Sequence, residues 1–180
     1  MPTRPSSPEA PATATATLAG GCYWCVDAVY ARLPGVLSVT SGFTGGSVPD
    51  PSYEQVCTGT TGHAEAVQLR FDPRQITFEQ LLDWFWKLHD PTTKDRQGAD
   101  VGTQYRSAIF YHSEAQRLAA LASKQQAQAQ FAAAIVTEIT AAGPFYSAEA
   151  YHQDYFQRNP SGGYCRAVIA PKLHKLGLDK

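Results

Sequence analysis

Ala14-TATLAGGCYWCVDAVYARLP-Gly35 is the stretch that decides the fold. Ala14 to Ala19 mixes Thr with small apolar residues and reads as a strand. Gly20-Gly21 breaks it. Cys25, Ala28, Val29 and Leu33 then recur at helical spacing, and Pro34-Gly35 ends the helix. Cys22 therefore lies where a strand turns into a helix. Backbone N–H groups at a helix start stabilise an anion, so Cys22 is the candidate nucleophile, with a thiol expected to ionise easily. The competing reading is a small apolar core residue.

Outward from this unit, strands and helices interleave. Val36 to Phe43 is β-prone, and Gly42, Gly45 and Gly46 mark a permissive loop. Val67, Leu69 and Phe71 alternate with Gln68 and Arg70, a half-buried strand. Glu65 shares the parity of Val67, which sets a carboxylate at the end of the apolar face. Thr77-x-x-Gln80 opens a helix with buried stripe Phe78, Leu81, Leu82, Phe85 and Leu88, stopped before Pro91. Ser107 to Tyr111 reads as a strand, Ser113-x-x-Gln116 caps an Ala- and Gln-rich helix, and Ile135 to Ile139 reads as a strand. Ala148 to Phe156 reads as a short helix, and an irregular C-terminal segment begins at Asn159-Pro160. The pattern implies the α+β class, a two-layer α/β sandwich, rather than an all-parallel sheet.

The 180 residues suit one domain, 14–180, behind a Pro-, Ser-, Thr- and Ala-rich tail, 1–13, that is expected to be disordered. Fifteen Lys and Arg against sixteen Asp and Glu leave a formal charge of −1, which gives no footprint for nucleic acid or an anionic membrane. No segment approaches the roughly 20 apolar residues of a membrane span. The N-terminus has no apolar signal region, so the expected compartment is the cytoplasm. Four cysteines are too sparse for a disulfide scaffold.

Cys25 is near enough to Cys22 on a helix to capture a sulfenic acid, or it is a core residue of the apolar stripe. Cys165, in Gly162-Gly163-Tyr164-Cys165, reads as a loop thiol able to exchange with such a disulfide, or as incidental. Cys57 has no redox neighbour and reads as structural. Desolvation would raise the Glu65 pKa and suit it to general-acid work, whereas a strand-end Glu turned to water or paired with Arg is the plainer reading. Tyr23 and Trp24 could wall an apolar pocket or be core. Two other functions fit the cysteines. One is a thiol–disulfide oxidoreductase using Cys22 and Cys25. The other is a zinc module built from Cys22, Cys25, Cys57 and His63.

Gly20-Gly21-Cys22-Tyr23-Trp24-Cys25 resembles the A-type peptide methionine sulfoxide reductases. Further blocks are similar to that family: Gly42-Phe43-Thr44-Gly45-Gly46, Tyr53 to Cys57, Gly62 to Val67, Phe85 to Thr92, Gln97 to Ser107, Phe145 to Glu149 and Tyr151-His152-Gln153. The resemblance runs from about Leu18 to about Lys175. It implies a ferredoxin-like α+β core with additions. It implies reduction of the S epimer of methionine sulfoxide, free or in oxidised proteins, by a peptide-methionine (S)-S-oxide reductase. Cys22 would attack sulfur, and Glu65 would protonate the oxygen. Tyr53 and Tyr105 would hydrogen-bond that oxygen, Asp100 would be an accessory polar residue, and Tyr23 and Trp24 would wall the methyl group. Cys25 or Cys165 would resolve the sulfenic acid, with Cys25 expected first. Thioredoxin or another dithiol would restore the enzyme. No metal or organic cofactor is implied, and the chain is expected to act as a monomer. Tyr23 stands where the family usually has Phe, Phe43 where it often has Tyr, and Cys25 where Gly is common. No cysteine follows Cys165.

Overall fold

The computed structural model describes residues 13–179. Apart from Thr13, the expected tail lies outside the described residues. The chain opens as β1 (Ala14–Gly20), α1 (Tyr23–Tyr30), β2 (Val36–Thr44), a short α2 (Tyr53–Cys57), β3 (Ala64–Phe71) and α3 (Phe78–Leu88). The two-residue strands β4 (Arg96–Gln97) and β5 (Asp100–Val101) form a separate hairpin. β6 (Ser107–Tyr111), α4 (Glu114–Ala127), β7 (Glu138–Ala141), β8 (Phe145–Ser147) and α5 (Tyr155–Arg158) follow. The described chain ends in a π-helical turn, Cys165–Ile169, that runs into α6 (Ala170–Lys175).

The main sheet has the order β7-β6-β1-β3-β2-β8. Its four inner strands, β6-β1-β3-β2, pair antiparallel throughout. With α1 and α3 as crossovers, this is the ferredoxin-like βαββαβ arrangement. The odd residues Val67, Leu69 and Phe71 of β3 face the main core with α1 and α3. On the other face Gln68 and Arg70 are open, but Ala64 and Ala66 lie in a second cluster with Ala19, Ala108 and Phe110. The start of β3 is thus covered on both faces, which takes Glu65 out of water.

Helix ends follow their local chemistry. Thr77 and Gln80 make the reciprocal capping box. Ser113 caps α4, but the Gln116 side chain reaches the His112 amide and the Thr15 carbonyl instead of closing the box. Ser52 and Gln55 form a further box on α2, a helix absent from the sequence expectation. The strand expected at Ile135–Ile139 begins only at Glu138. The Ile135 and Val136 amides are taken by the Gln128 side chain and the Pro91 carbonyl. The helix expected over Ala148–Phe156 is interrupted. Asp154 adopts φ +49°, and the Gln153 amide bonds both backbone groups of Ser41 on β2.

One buried carboxyl sits in this frame without full partners. Asp27 on α1 is 3% exposed, and its Oδ1 has no hydrogen-bond partner. Burial, and then the Asp154 charge, push its carboxyl up to about 7. The folded state therefore keeps a proton that the unfolded chain loses near 4. Stability contributed by Asp27 falls as pH rises from about 4 to about 7 and is level above that. Asp27→Asn should remove this slope. In urea titrations the variant-minus-parent stability should grow by roughly 2–4 kcal/mol across that window. A difference independent of pH would contradict the assignment.

Candidate active site

The turn between β1 and α1 is built for close approach. Gly21 has φ +94°, and a Cβ there would come within 2.7 Å of the Gln97 side chain. Cys22 follows as the N-cap of α1, its carbonyl accepting from the Cys25 amide at 3.1 Å. The Trp24 backbone N–H supports a thiolate on Cys22, as a helix start should. Stronger influences oppose it. The hydrogen bond with Cys25, then burial, then the Glu65 charge, raise Cys22 well above the ordinary thiol value. The same hydrogen bond brings Cys25 down to about 7 against its burial, helped by the Lys172 charge. The two thiols titrate as a pair, and Cys25 is the one more readily ionised.

Glu65 is 1% exposed. Its Oε1 accepts the Tyr23 amide of α1 at 3.2 Å, and its Oε2 is buried without a partner. Burial pushes the carboxyl up to about 8, Asp100 and Cys25 add to the rise, and the Tyr23 amide works against it. Glu65 is neither turned to water nor paired with Arg. At neutral pH it holds a proton on a group with a vacant hydrogen-bonding position. Burial raises the Tyr53 and Tyr105 hydroxyls, and the Glu65 charge contributes to both. They remain donors across the working pH range. Tyr105 also feels Cys22 and Asp100, so these residues converge on one point.

Tyr23 and Trp24 sit in an aromatic cluster. Tyr23 is fully buried, with ring centroids 5.7 Å from Phe43 and 5.5 Å from His152. Its hydroxyl has no partner among the described residues. Trp24 is half-buried and stacks on Tyr155 at 3.7 Å and 7°. The Trp24 indole N–H donates to His152 Nδ1 at 3.1 Å, which leaves the His152 proton on Nε2. His152 also lies 4.5 Å from the Tyr53 ring.

Cys22, Cys25, Asp100, Tyr164 and Lys172 line a cleft of about 240 Å³. A larger hollow of about 480 Å³, on the far side of Gln97 and Lys172, is lined by no thiol. Cys165 is fully buried at the start of the π-helical turn, not in a loop, and the charge of Cys25 reaches it. Cys57 is exposed, and burial raises its thiol while the neighbouring Tyr53 works against the rise. All four cysteines are free thiols. His63 accepts the Gly46 amide at Nδ1 and meets the Val48 carbonyl at Nε2, so both nitrogens hold the loop. Among the described residues, no three His, Cys, Asp or Glu side chains form a group able to hold a metal ion.

Sequence reasoning missed His152, Tyr155, Tyr164 and Lys172 as neighbours of the site. Three of them fall in or beside quoted motifs, but nothing local shows that the C-terminal segment returns to α1.

The sequence model for peptide methionine sulfoxide reductase matches residues 14–179. The chain is 56% identical over 160 residues to a peptide methionine sulfoxide reductase MsrA of Thermus thermophilus, covering 89% of this chain and 91% of that one. The structure is similar to reduced Mxr1 of Saccharomyces cerevisiae, with TM-score 0.81 and 37% identity over 85% of this chain and 89% of the other. It is also similar to Mxr1 in complex with Trx2, with TM-score 0.59 and 26% identity over 84% and 91% of the two chains. A chain with this fold, this thiol pair and this buried acid, matched along almost its whole length, belongs to the peptide methionine sulfoxide reductases and reduces methionine sulfoxide.

Proposed function

We propose that the site reduces the S epimer of methionine sulfoxide, free or in oxidised proteins, through a Cys22 sulfenic acid. The carrying observation is Glu65: a buried carboxyl that keeps its proton to about 8, with one oxygen unpartnered, beside the thiol pair. The Cys25 thiolate takes the Cys22 proton as Cys22 attacks sulfur. Glu65 gives its proton to the sulfoxide oxygen, and Tyr53 and Tyr105 donate to it, offsetting the charge that develops there. Asp100 stands beside them as an accessory polar residue. Tyr23 and Trp24 wall the substrate methyl group. Attack forms a bond between the two sulfurs. The protonated oxygen then passes to Cys22 sulfur as the substrate S–O bond and that S–S bond break, leaving methionine and a Cys22 sulfenic acid. Methionine sulfur gains two electrons and Cys22 sulfur loses two.

Cys25, three residues along and lining the same cleft as Cys22, resolves the sulfenic acid first, and Cys165 exchanges with the resulting disulfide. Burial of Cys165 at the start of the C-terminal turn supports that order. A dithiol protein then restores both thiols, and the Mxr1 complex with Trx2 supports a thioredoxin in that role. The reading takes residues 14–180 as one domain acting as a monomer in the cytoplasm, where such partners keep thiols reduced. No helix of the described residues is long and apolar enough to cross a membrane.

A general thiol–disulfide oxidoreductase would have no use for the protonated carboxyl. Turnover of the two epimers with dithiothreitol separates the readings. Cys22→Ser should abolish reduction of the S epimer. Glu65→Gln should lower kcat/KM by about 10²- to 10³-fold. Parental turnover in Cys22→Ser would overturn the proposal.

Activity needs one thiolate in the pair and a protonated Glu65. The pH profile of kcat/KM should therefore rise through about 7 and fall through about 8. Glu65→Gln should lose the falling limb, and Cys25→Ser should move the rising limb upward. A profile that climbs without a fall to pH 9 would remove Glu65 as the acid.

Mass mapping after one turnover without reductant should show a Cys22–Cys25 disulfide before any bond to Cys165. A Cys22–Cys165 bond formed at full rate, with no Cys22–Cys25 species, would reverse the proposed order.

A further inference from the structure

The thiol pair has a second hydrogen-bonded connection, running from Cys25 away from Glu65. The Tyr164 hydroxyl lies 3.4 Å from Cys25 Sγ and donates to Asp100 Oδ2 at 2.9 Å. Cys25 comes from α1, Asp100 from β5 and Tyr164 from the turn before Cys165. All three line the cleft with Cys22 and Lys172. Asp100 is half-exposed, so the far end of this chain of groups reaches solvent.

We infer that Tyr164 and Asp100 form a proton relay for the resolving step, Tyr164 accepting the Cys25 thiol proton while passing its own to Asp100. The inference rests on Cys22 as nucleophile and Cys25 as first resolver. By that route Cys25 has received the Cys22 proton and must lose it to become a nucleophile again. The Tyr164 hydroxyl already donates to Asp100, so its oxygen is oriented to accept from Cys25.

The step balances. The Cys25 S–H bond breaks, a Cys22–Cys25 S–S bond forms and the Cys22 S–O bond breaks. The hydroxyl leaves as water, taking a proton from Glu65 after that carboxyl has been reprotonated from solvent. Asp100 returns an equivalent proton to solvent. Cys25 sulfur is oxidised by one electron and Cys22 sulfur is reduced by one. The charged or titratable groups around Cys25 are Cys22, Glu65, Asp100, Tyr164, Cys165 and Lys172. Lys172 is the cation among them, and it favours the thiolate once the proton has left.

Tyr164→Phe removes the hydroxyl and keeps the ring, whose centroid lies 5.7 Å from Trp24 in an edge contact. The test uses the full chain in a Cys165→Ser background, given one equivalent of methionine sulfoxide and no reductant. Methionine release, diketone-trapped Cys22 sulfenic acid and the Cys22–Cys25 disulfide are followed in time. In Tyr164→Phe the interval between methionine release and disulfide closure should lengthen by about ten- to a hundredfold. A solvent deuterium isotope effect on closure should be present in the parent and lost in the variant. Asp100→Asn should also lengthen that interval. Closure in Tyr164→Phe with parental rate and isotope effect overturns the relay alone. A parent that releases methionine without any trapped sulfenic acid or Cys22–Cys25 disulfide overturns the resolving order and the relay together.

Discussion

The hydrogen bond from the Tyr23 amide to Glu65 joins the first turn of α1 to the start of β3, and the site is assembled around it. Antiparallel pairing of β1 with β3 makes this contact possible, because the end of β1 lies beside the beginning of β3. A bond from a backbone N–H to a carboxylate favours the charged form by roughly 1.5–3 kcal/mol. Here desolvation outweighs it, and the carboxyl rises to about 8. The second apolar cluster, Ala19, Ala64, Ala66, Ala108 and Phe110, contributes by closing the other face of the sheet. The raised pKa of Glu65 is therefore a consequence of how the sheet is covered.

The thiols follow a similar competition. A cysteine at a helix start is expected to ionise readily, and the Trp24 amide does support Cys22. Burial, the nearby Glu65 and a thiol partner three residues along reverse the balance. Cys25 is the more readily ionised thiol of the two, favoured by the hydrogen bond with Cys22 and by the Lys172 charge from the far end of the chain. In the proposed mechanism Cys25 acts as base for Cys22 before it becomes the resolving thiol, and the proton it accepts in the first step must leave in the second.

The C-terminal segment gives the site its outer wall. Gln153 clamps it to Ser41 on β2, the Trp24–Tyr155 stack holds it to α1, and Tyr164 bridges to Asp100 on β5. The aromatic block at Tyr151–Gln153 places His152 between Trp24 and Tyr53. Tyr23 carries a hydroxyl into this cluster that finds no partner among the described residues.

Much of the frame was legible in the residues. Period-2 alternation fixed the buried face of β3 and the parity of Glu65, Thr77 and Gln80 marked the start of α3, and Gly20-Gly21 placed Cys22 at a strand-to-helix turn. These are local properties, set by backbone sterics and side-chain direction within a few residues. The boundaries of β7 and the break at Asp154 were not legible, because distant partners, Pro91 and Ser41, take the backbone groups involved. The protonation states were equally hidden. They depend on contacts between residues 42, 64 and 139 positions apart: Tyr23 with Glu65, Asp100 with Tyr164, and Cys25 with Tyr164. Sequence by itself determined which residues could do chemistry and on which face they stand. Tertiary structure decided which of them hold protons, because desolvation and charge depend on what packs nearby in space, not on what is adjacent in the chain.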